Sequence, residues 1–293
     1  MEKTFEKHLE DEIAKYNGIS FPVKAGMLQC LLIKKLPCLK LHPNPDDEFS
    51  MPGVGPSYRI ISEYEKKFRR NEELDNKDTE ERIVVEKMHP DGYMIINGHH
   101  RWAAYYKIGR KSVPVEVVNL THDEDIRKML ANANHDRRVT FDLDEVVFCA
   151  DENEPAEKKP GFPFGSIYKE RIRLGIPALF KYLYQRGYDI WVYSSKFYSM
   201  DYIGNLMKKY HVEITGIVTG TSKKTAADKK GKKEIDSLLA KKYKYTLHID
   251  RDTVLMINNS TGDFEEYPID KEKGNWSQGV MDITGDLGKD AGE

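Results

Sequence analysis

Two aspartates, Asp142 and Asp144, stand two residues apart directly after the largely apolar run 139–141. Like charges this close coexist more easily when a cation or a proton lies nearby. A β-strand that ends in two carboxylates can hold Mg²⁺ and can present an oxygen nucleophile to phosphorus. The same residues would also fit a strand that runs into an acidic turn, and the spacing alone leaves both interpretations open.

A second polar pattern consists of Gly98, His99, His100 and Arg101, at the start of a helix-like stretch. A glycine turn that opens a helix presents backbone N–H groups to an anion. Histidine and arginine beside it add charge-assisted donors for phosphate. The pattern therefore predicts a phosphate-binding turn, and the alternative is a helix-capping turn with surface histidines.

Composition limits the class of protein. The chain has 293 residues, enough for one large domain or two ordinary ones. Its formal net charge of −2 does not indicate a globally basic nucleic-acid-binding protein. The cysteines Cys30, Cys38 and Cys149 form no Cys-x-x-Cys pair, which fits a reducing compartment. There is no apolar run of bilayer length and no signal-peptide pattern, so we expect a cytoplasmic protein without a membrane partner.

In the first half of the chain, hydrophobic spacing and turn residues predict a mixed α+β domain. We expect helices at 2–16, 60–70 and 100–108, and strands at 28–33, 82–87, 93–96 and 113–118. The segment 89–92, His-Pro-Asp-Gly, is typical of a hairpin turn between two of these strands.

From residue 138 onward, strands and helices alternate. We expect strands at 139–143, 189–193, 214–218, 245–249 and 253–257, and helices at 172–187, 200–210 and 232–241. This repetition predicts an α/β fold with a parallel sheet and right-handed crossovers. A polar helix at 122–135 is expected to bridge two domains. The polar, glycine-containing residues after Asp270 are expected to be poorly ordered.

Motifs within residues 138–258 resemble those of the haloacid dehalogenase-type (HAD) phosphatase superfamily. The family's Asp-x-Asp-x-Thr/Val motif matches the five residues that begin at Asp142. Its second motif, a buried strand that ends in Ser or Thr, matches the strand before Ser194. Its fourth motif, a strand that ends in acids, matches Asp250 and Asp252, although the family more often has adjacent or more widely spaced acids. The third motif is a lone lysine, and its candidates are Lys229, Lys230, Lys232 and Lys233.

The resemblance implies a Rossmann-like parallel-sheet domain with an aspartyl-phosphate site at the carboxyl ends of its strands. Asp142 would be the nucleophile, Asp144 the general acid and then the base, and Ser194 a donor to a phosphoryl oxygen. The implied Mg²⁺ ligands are Asp142, Asp250, Asp252 and, through its backbone carbonyl, Asp144, and the implied phosphate-binding lysines are Lys230 and Lys232. The insert 151–166 is too short for a folded cap domain, so the cap is expected to be minimal.

Residues 30–120 resemble the ParB/sulfiredoxin fold, whose members share a Gly-x-x-Arg phosphate-binding turn at a helix start. The Gly-His-His-Arg version looks like that of the superfamily's free serine kinases and differs from the Gly-Glu-Arg-Arg of partition proteins. Sulfiredoxin's catalytic cysteine would fall at His99, which disfavours sulfinic-acid reduction. The resemblance implies that phosphates of ATP or another nucleotide bind to Gly98, His99, His100 and Arg101. The acidic residues 46–48 would then act as a base or a metal ligand.

These patterns predict a fold and a function together. The predicted segments are an N-terminal helix and lead-in (1–29), a ParB/sulfiredoxin-like nucleotide-binding domain (30–121), a helical linker (122–137), a HAD-like phosphatase domain (138–270) and a polar tail (271–293). The expected function is a Mg²⁺-dependent phosphomonoesterase, with a phosphotransferase step from a nucleotide as an extension. The expected partners are a nucleotide and a phosphorylated small molecule or nucleic-acid end.

Two alternatives remain open from the sequence. One is a kinase–phosphatase that acts on nucleic-acid ends, although the chain has no P-loop, so that any kinase step would use the Gly98 turn. The other is a nucleotide-gated module that binds DNA or protein and uses a non-catalytic HAD scaffold.

Overall fold

The structure is a computed structural model. It describes residues 4–16, 18–74, 81–221, 228–270 and 275–290, without the side chains of 228–233 and 288–290. The chain divides into one unit of residues 1–119 and a second of residues 120–224 and 228–293. This boundary lies close to the one predicted after residue 121. The N-terminal helix belongs to the first unit and the predicted linker to the second, so neither is a separate segment.

The first unit combines a mixed sheet with four helices in its described part. The helices are α1 (Phe5–Tyr16), α2 (Met27–Leu32), α3 (Tyr58–Glu73) and α4 (His99–Lys107). The strands are β1 (Phe21–Pro22), β2 (Lys35–Pro37), β3 (Leu41–His42), β4 (Ile83–His89), β5 (Tyr93–Asn97) and β6 (Ser112–Val117). Five strands lie in the order β2-β6-β4-β5-β3, and β1 pairs with β4. The three predicted helices and the last three predicted strands are confirmed.

Aromatic side chains hold α4 in this unit. The Phe68 ring of α3 stacks on Tyr105 of α4, with ring centroids 4.0 Å apart. Trp102 of α4 is fully buried, and Phe5 of α1 packs against it with ring centroids 6.1 Å apart. The helices α1 and α3 thus fix α4, and with it the Gly98 turn.

The strand predicted at 28–33 is wrong, because these residues form most of helix α2. A short apolar run does not distinguish a strand from a helix. The backbone bonds are local: the N–H of Cys30 donates to the carbonyl of Gly26 at 3.1 Å, and that of Ile33 to Gln29 at 3.1 Å. None of the side chains of α2 is buried, so its apolar residues are not those of a buried strand in the sheet.

The second unit is built around a larger mixed sheet. Its helices are α5 (Asp123–Ala131), α6 (Phe164–Ile167), α7 (Ile176–Gln185), α8 (Met200–Lys209), α9 (Asp228–Lys242) and α10 (Trp276–Asp290). Its strands are β7 (Arg137–Asp142), β8 (Tyr188–Tyr193), β9 (Gly216–Val218), β10 (Tyr245–Ile249), β11 (Thr253–Asn258) and β12 (Phe264–Pro268). All five predicted strands and all three predicted helices of residues 138–270 occur, and β12 is additional.

The strand order of this sheet is β12-β11-β10-β7-β8-β9. The strands β10, β7, β8 and β9 run parallel, whereas β11 and β12 are antiparallel to their neighbours. The predicted parallel sheet is therefore confirmed for four strands. β11 departs from it, because the turn 250–252 is too short for the crossover that a parallel β11 would need. The order reverses between β7 and β10. In open α/β sheets, ligands bind at the carboxyl ends of the strands at such a switch point.

Helices cover both faces of the sheet. On one face α7, α8 and α10 pack on a core that contains Val139 and Phe141 of β7. On the other face α5 and α9 pack on Trp191 of β8, with Ile126 and Leu130 contributed by α5. Helix α5, which was predicted to be a linker between domains, therefore packs on the sheet of the second unit. Its apolar residues lie on one helical face, which a bridging helix in solvent would not need.

The tail predicted to be poorly ordered contains helix α10. Val280 is fully buried, and Trp276, Ile283 and Leu287 pack against the same core as α7. Their spacing of four, three and four residues puts all four side chains on one face of a helix. The Gly and Asp residues between these apolar positions make the average composition of the tail polar. The prediction of poor order relied on that average and missed the helical spacing.

No helix in the described ranges combines the length and the apolar character needed to cross a lipid bilayer.

Candidate functional site

Asp142 is oriented by the turn that follows it. It ends β7 and caps a single π-helical turn, Leu143–Val147, which we call the π-turn. Its Oδ1 accepts hydrogen bonds from the backbone N–H groups of Asp144 at 2.7 Å and Glu145 at 2.9 Å. Such turns occur frequently at functional sites. The bonds hold the Asp142 carboxylate at the carboxyl end of β7 before any ligand binds.

Asp144 lies against the end of the neighbouring strand β8. Its Oδ2 accepts hydrogen bonds from Ser194 Oγ at 2.9 Å, Ser195 N at 3.1 Å and Ser195 Oγ at 3.2 Å. Its Oδ1 is buried and makes no hydrogen bond, and the ammonium of Lys196 lies 3.5 Å from it. The two predicted catalytic aspartates therefore have different surroundings, one held by backbone amides and one by side chains after β8.

Ser194 is brought to the site as the sequence predicts. It is fully buried, donates to Asp144 and accepts from the backbone N–H of Lys196 at 3.0 Å. The predicted lysines Lys230 and Lys232 lie on α9, but their side chains are outside the described part. Lys196, whose side chain is 63% exposed, was not predicted. Its position two residues beyond a strand-end serine is the signal that could have found it.

The register of the sheet relates Asp250 to Asp142. Phe141 of β7 pairs with Ile249 of β10 in parallel, so Asp142 and Asp250 follow at neighbouring strand ends. Asp252 instead lies exposed in the turn before β11. Among the described residues, no three His, Cys, Asp or Glu side chains are grouped to hold a metal ion. The three carboxylates predicted to bind the metal, Asp142, Asp250 and Asp252, thus do not form one cluster.

A pair of strand-end carboxylates nevertheless fits Mg²⁺. This ion is usually bound by one or two carboxylates and keeps several waters, which leaves room for a substrate phosphate. Asp142 is half-buried and Asp250 is exposed, so both are open to solvent. The donor set suits a magnesium site that the substrate completes.

In the first unit, the predicted phosphate-binding turn requires a glycine. Gly98 precedes α4 with φ of +101°, in the left-handed region. A Cβ at this position would lie 2.9 Å from Arg101 Nε. The Arg101 side chain folds back over the turn, because it donates to Asn97 Oδ1 at 2.6 Å and to Glu81 Oε2 at 3.1 Å.

His99 and His100 are held by the loop between β3 and α3. His99 Nε2 accepts a hydrogen bond from the backbone N–H of Asn44 at 3.2 Å, and His100 Nε2 accepts one from Ser57 at 3.1 Å. The Phe49 ring stacks on His99 and meets His100 edge-on. The two histidines therefore bind this loop through one ring nitrogen each, and that nitrogen is not available to a ligand. His99 is buried and His100 is half-buried.

A pocket of about 290 Å³ lies at the start of α4. Its lining residues are Asp47, Ile60, Tyr64, Ile96, Asn97, Gly98, His99, His100 and Arg101. The carboxylate of Asp47 lies 3.6 Å from His99 Nδ1 and is 28% exposed. The structure thus brings the predicted turn and one of the acids at 46–48 to the same cavity.

The first unit is expected to lose stability in mild acid. Burial lowers the pKa of His100, and a nearby Asp47 only partly opposes this. The unfolded chain, with an ordinary histidine pKa of about 6.5, then binds more protons than the folded one as the pH falls below that value. Stability of this unit should therefore fall from pH 7.5 to pH 5.5, as measured by thermal unfolding. His100→Gln keeps an acceptor without titrating and should reduce the loss; an equal loss in both proteins would contradict this.

Comparison with known proteins bears on the first unit and on the beginning of the second. Residues 71–134 match the family model of the ParB N-terminal domain. The match spans β4, β5, α4 and β6, includes the Gly98 turn and continues through α5. This segment is ParB-like. No curated protein matches the chain.

Proposed function

We propose that the second unit is a Mg²⁺-dependent phosphohydrolase of the HAD type, which works through an aspartyl-phosphate on Asp142. The observation that carries the proposal is the register of β7 and β10, which puts Asp142 and Asp250 at neighbouring strand ends at the switch point of the sheet. Phosphoryl transfer depends mainly on positioning and on offsetting charge. Two carboxylates at this point, with Asp144 and Ser194 beside them, supply a nucleophile, an acid and a donor.

Asp142 performs the first step. One of its carboxylate oxygens attacks phosphorus, the bond between phosphorus and the ester oxygen breaks, and an acyl phosphate forms. Because Oδ1 is held by two backbone N–H groups, Oδ2 is the attacking atom. Mg²⁺ bound by Asp142 and Asp250 would offset the repulsion between carboxylates and phosphate.

Asp144 moves the protons. It donates a proton to the leaving oxygen and then takes one from the water that attacks the phosphorus of the acyl phosphate. When substrate binds, Ser194 and Ser195 exchange their bonds to Asp144 for bonds to phosphoryl oxygens. The exposed ammonium of Lys196, which lies 3.5 Å from Asp144 Oδ1, would also contact a phosphoryl oxygen. The lysines expected on α9 stay a prediction, because their side chains lie outside the described residues.

The substrate phosphate is proposed to sit at the end of a large molecule. Between the π-turn and α7 the regular structure of the described chain is limited to helix α6 and two isolated bridges, Phe148 with Ile172 and Ala156 with Arg173. An insertion of this size cannot enclose a small substrate within the unit. An open site admits a phosphomonoester at a chain end or on a bulky group.

Phosphate release tests this function. The full chain is expected to hydrolyse a generic aryl phosphate in the presence of Mg²⁺ and to lose the activity when the metal is chelated. Restoring Mg²⁺ should restore the rate. Hydrolysis that persists after chelation, or its absence on a broad panel of phosphomonoesters with Mg²⁺, would contradict the proposal.

We also propose that the first unit binds a nucleotide at the Gly98 turn. A helix start offers its first amide N–H groups to an anion, and here it opens into a pocket of about 290 Å³. That volume is at the lower end of ligand pockets, which run from roughly 300 to 1,000 Å³, and suits a di- or triphosphate group. The ligand's phosphates would take over the bonds that Arg101 makes with Asn97 and Glu81.

Arg101→Ala is expected to remove most of the thermal stabilisation that a bound nucleotide confers. A ligand at 100 times its Kd stabilises a protein by about 2.7 kcal/mol, so binding is measurable by thermal unfolding. The four ribonucleoside triphosphates would be compared. Arg110→Ala is the matched control, because Arg110 is similarly covered and pairs with Glu72 as Arg101 pairs with Glu81. Equal loss in both variants would show that the effect is not local to the turn.

A further inference from the structure

Two arginines from distant segments meet at the end of the π-turn. Arg173 donates from Nε to the backbone carbonyl of Val146 at 2.9 Å and from Nη2 to that of Glu145 at 3.2 Å. Arg251, the residue after Asp250, donates from Nε to the same Glu145 carbonyl at 2.8 Å. The two guanidinium groups thus share one acceptor on the turn that carries the candidate catalytic aspartates.

The helical geometry of the turn explains why arginines suit this place. The last carbonyls of a helical segment have no partner within it and need donors from elsewhere. A cation is also favoured there by the partial negative charge of the carbonyl end. At the other end the turn is closed by Asp142, which accepts the N–H groups of Asp144 and Glu145. The π-turn is therefore held at both ends by charged side chains.

Glu154 makes it possible for the two guanidinium groups to lie close together. Its Oε2 lies 3.2 Å from Arg173 Nη2, and its Oε1 lies 3.7 Å from Arg251 Nη2. Like charges that share an acceptor repel each other, and a carboxylate between them offsets the repulsion. Glu154 comes from the insertion between β7 and α7, so the insertion contributes to the site without enclosing it.

Helix α10 supports the same two arginines. Trp276 Nε1 donates to the backbone carbonyl of Arg251 at 2.9 Å, and the Arg173 guanidinium lies 5.7 Å from the centre of the Trp276 ring. An arginine over a tryptophan ring is attracted by its π face. The tail helix thereby fixes the backbone of one arginine and the side chain of the other.

We propose that Arg173 and Arg251 are positioning residues for phosphoryl transfer. They fix the π-turn so that Asp144 faces the end of β8 and Asp142 keeps its attacking oxygen toward the substrate. The inference rests on the proposed function and adds two residues that the sequence motifs do not include. Arg251 also connects the end of β10 to the π-turn, because it directly follows Asp250, the proposed metal ligand.

The test compares Arg173→Gln and Arg251→Gln with Arg127→Gln. Arg127 is the control, because it lies on α5 of the same unit, pairs with Glu234 at 2.9 Å and is about as exposed as Arg251, but makes no bond to the π-turn or the insertion among those that the described residues show. A misplacement of about 1 Å can cost on the order of 100-fold in rate. Both test variants should therefore lower kcat roughly 10- to 100-fold with KM changed less than threefold. Lysine at either position should restore part of kcat.

Hydrogen exchange of the amides at 143–147 gives a readout that does not depend on catalysis. Exchange there should accelerate in both test variants and stay unchanged in Arg127→Gln, while the melting temperature confirms that all variants are folded. Unchanged exchange in the test variants, or equal acceleration in the control, would overturn the positioning role. If the wild-type chain released no phosphate, the proposed function would fall, and exchange would still decide whether the arginines fix the turn.

Discussion

Asp142→Asn is expected to lower Mg²⁺-dependent hydrolysis of an aryl phosphate by a factor on the order of 10⁴ or more. The amide is a poor nucleophile and carries no charge, so neither the acyl phosphate nor the metal site forms. The fold should survive, because the amide oxygen can still accept the N–H groups of Asp144 and Glu145, which lie 2.7 and 2.9 Å from Oδ1. The measurement is the initial rate of phosphate release at saturating Mg²⁺.

Asp263→Asn is the control for this substitution. Asp263 is exposed in the turn between β11 and β12 of the same unit. This turn follows Asn258, which pairs with Tyr245 at the amino end of β10, so the same change in charge occurs at the opposite end of the strand from Asp250. Its rate should stay within about twofold of the wild type, as is usual for surface substitutions. An Asp142→Asn protein that is folded and retains a tenth of the wild-type rate would rule out the aspartyl-phosphate.

Asp189→Ala is expected to destabilise the second unit by about 3 kcal/mol, in the range for breaking a buried charged network. Asp189 is fully buried at the start of β8. It accepts from Tyr243 OH at 3.0 Å and contacts His135 Nδ1 at 2.9 Å, and Tyr243 OH in turn accepts from Trp191 Nε1 at 2.9 Å. Removal of the carboxylate leaves the buried Tyr243 hydroxyl without an acceptor and takes a partner from the half-buried His135, and a buried unpaired donor is costly.

The stability of the two units has to be followed separately. Hydrogen exchange of the β8 amides, residues 188–193, reports on the second unit alone and should speed up strongly in Asp189→Ala. Asp189→Asn should have a smaller effect, because its amide oxygen can keep one of the donors while its NH₂ group meets another donor. Asp263→Ala should leave β8 unchanged. Equal exchange in Asp189→Ala and the wild type would show that the network contributes little.

Much of the second unit could be predicted because its central strands β7, β8 and β10 are largely buried. Such strands appear in the sequence as short apolar runs separated by amphipathic helices, and the runs around Phe141, Ile190 and Leu247 all became central strands. Strand β11 was predicted, but its antiparallel direction was not. Strand direction depends on the length of the connection to the neighbouring strand, and the residues of the strand itself do not indicate it.

The candidate site was predicted in part. The position of Asp142 before a turn and that of Ser194 at a strand end follow from local sequence. In the structure both residues bond to Asp144: Asp142 accepts its backbone N–H, and Ser194 donates to its carboxylate. Lys196 lacked a motif, and His99 was assigned to phosphate although its Nε2 serves the loop at Asn44. A side chain's partner depends on segments that meet only in the fold, so residue type alone could not assign it.

The sequence by itself determined which chemistry is available: carboxylates and a serine at the ends of apolar strands, and a glycine turn before a helix. These features are local, because they follow from side-chain type and from short-range backbone preference. Only the tertiary structure decided which of them meet. The reversal of strand order beside β7 brings Asp250 next to Asp142, and the packing of the insertion and α10 delivers Arg173 and Arg251 to the π-turn. Strand order and helix packing are set by burial summed over the whole unit, and no single segment carries that information.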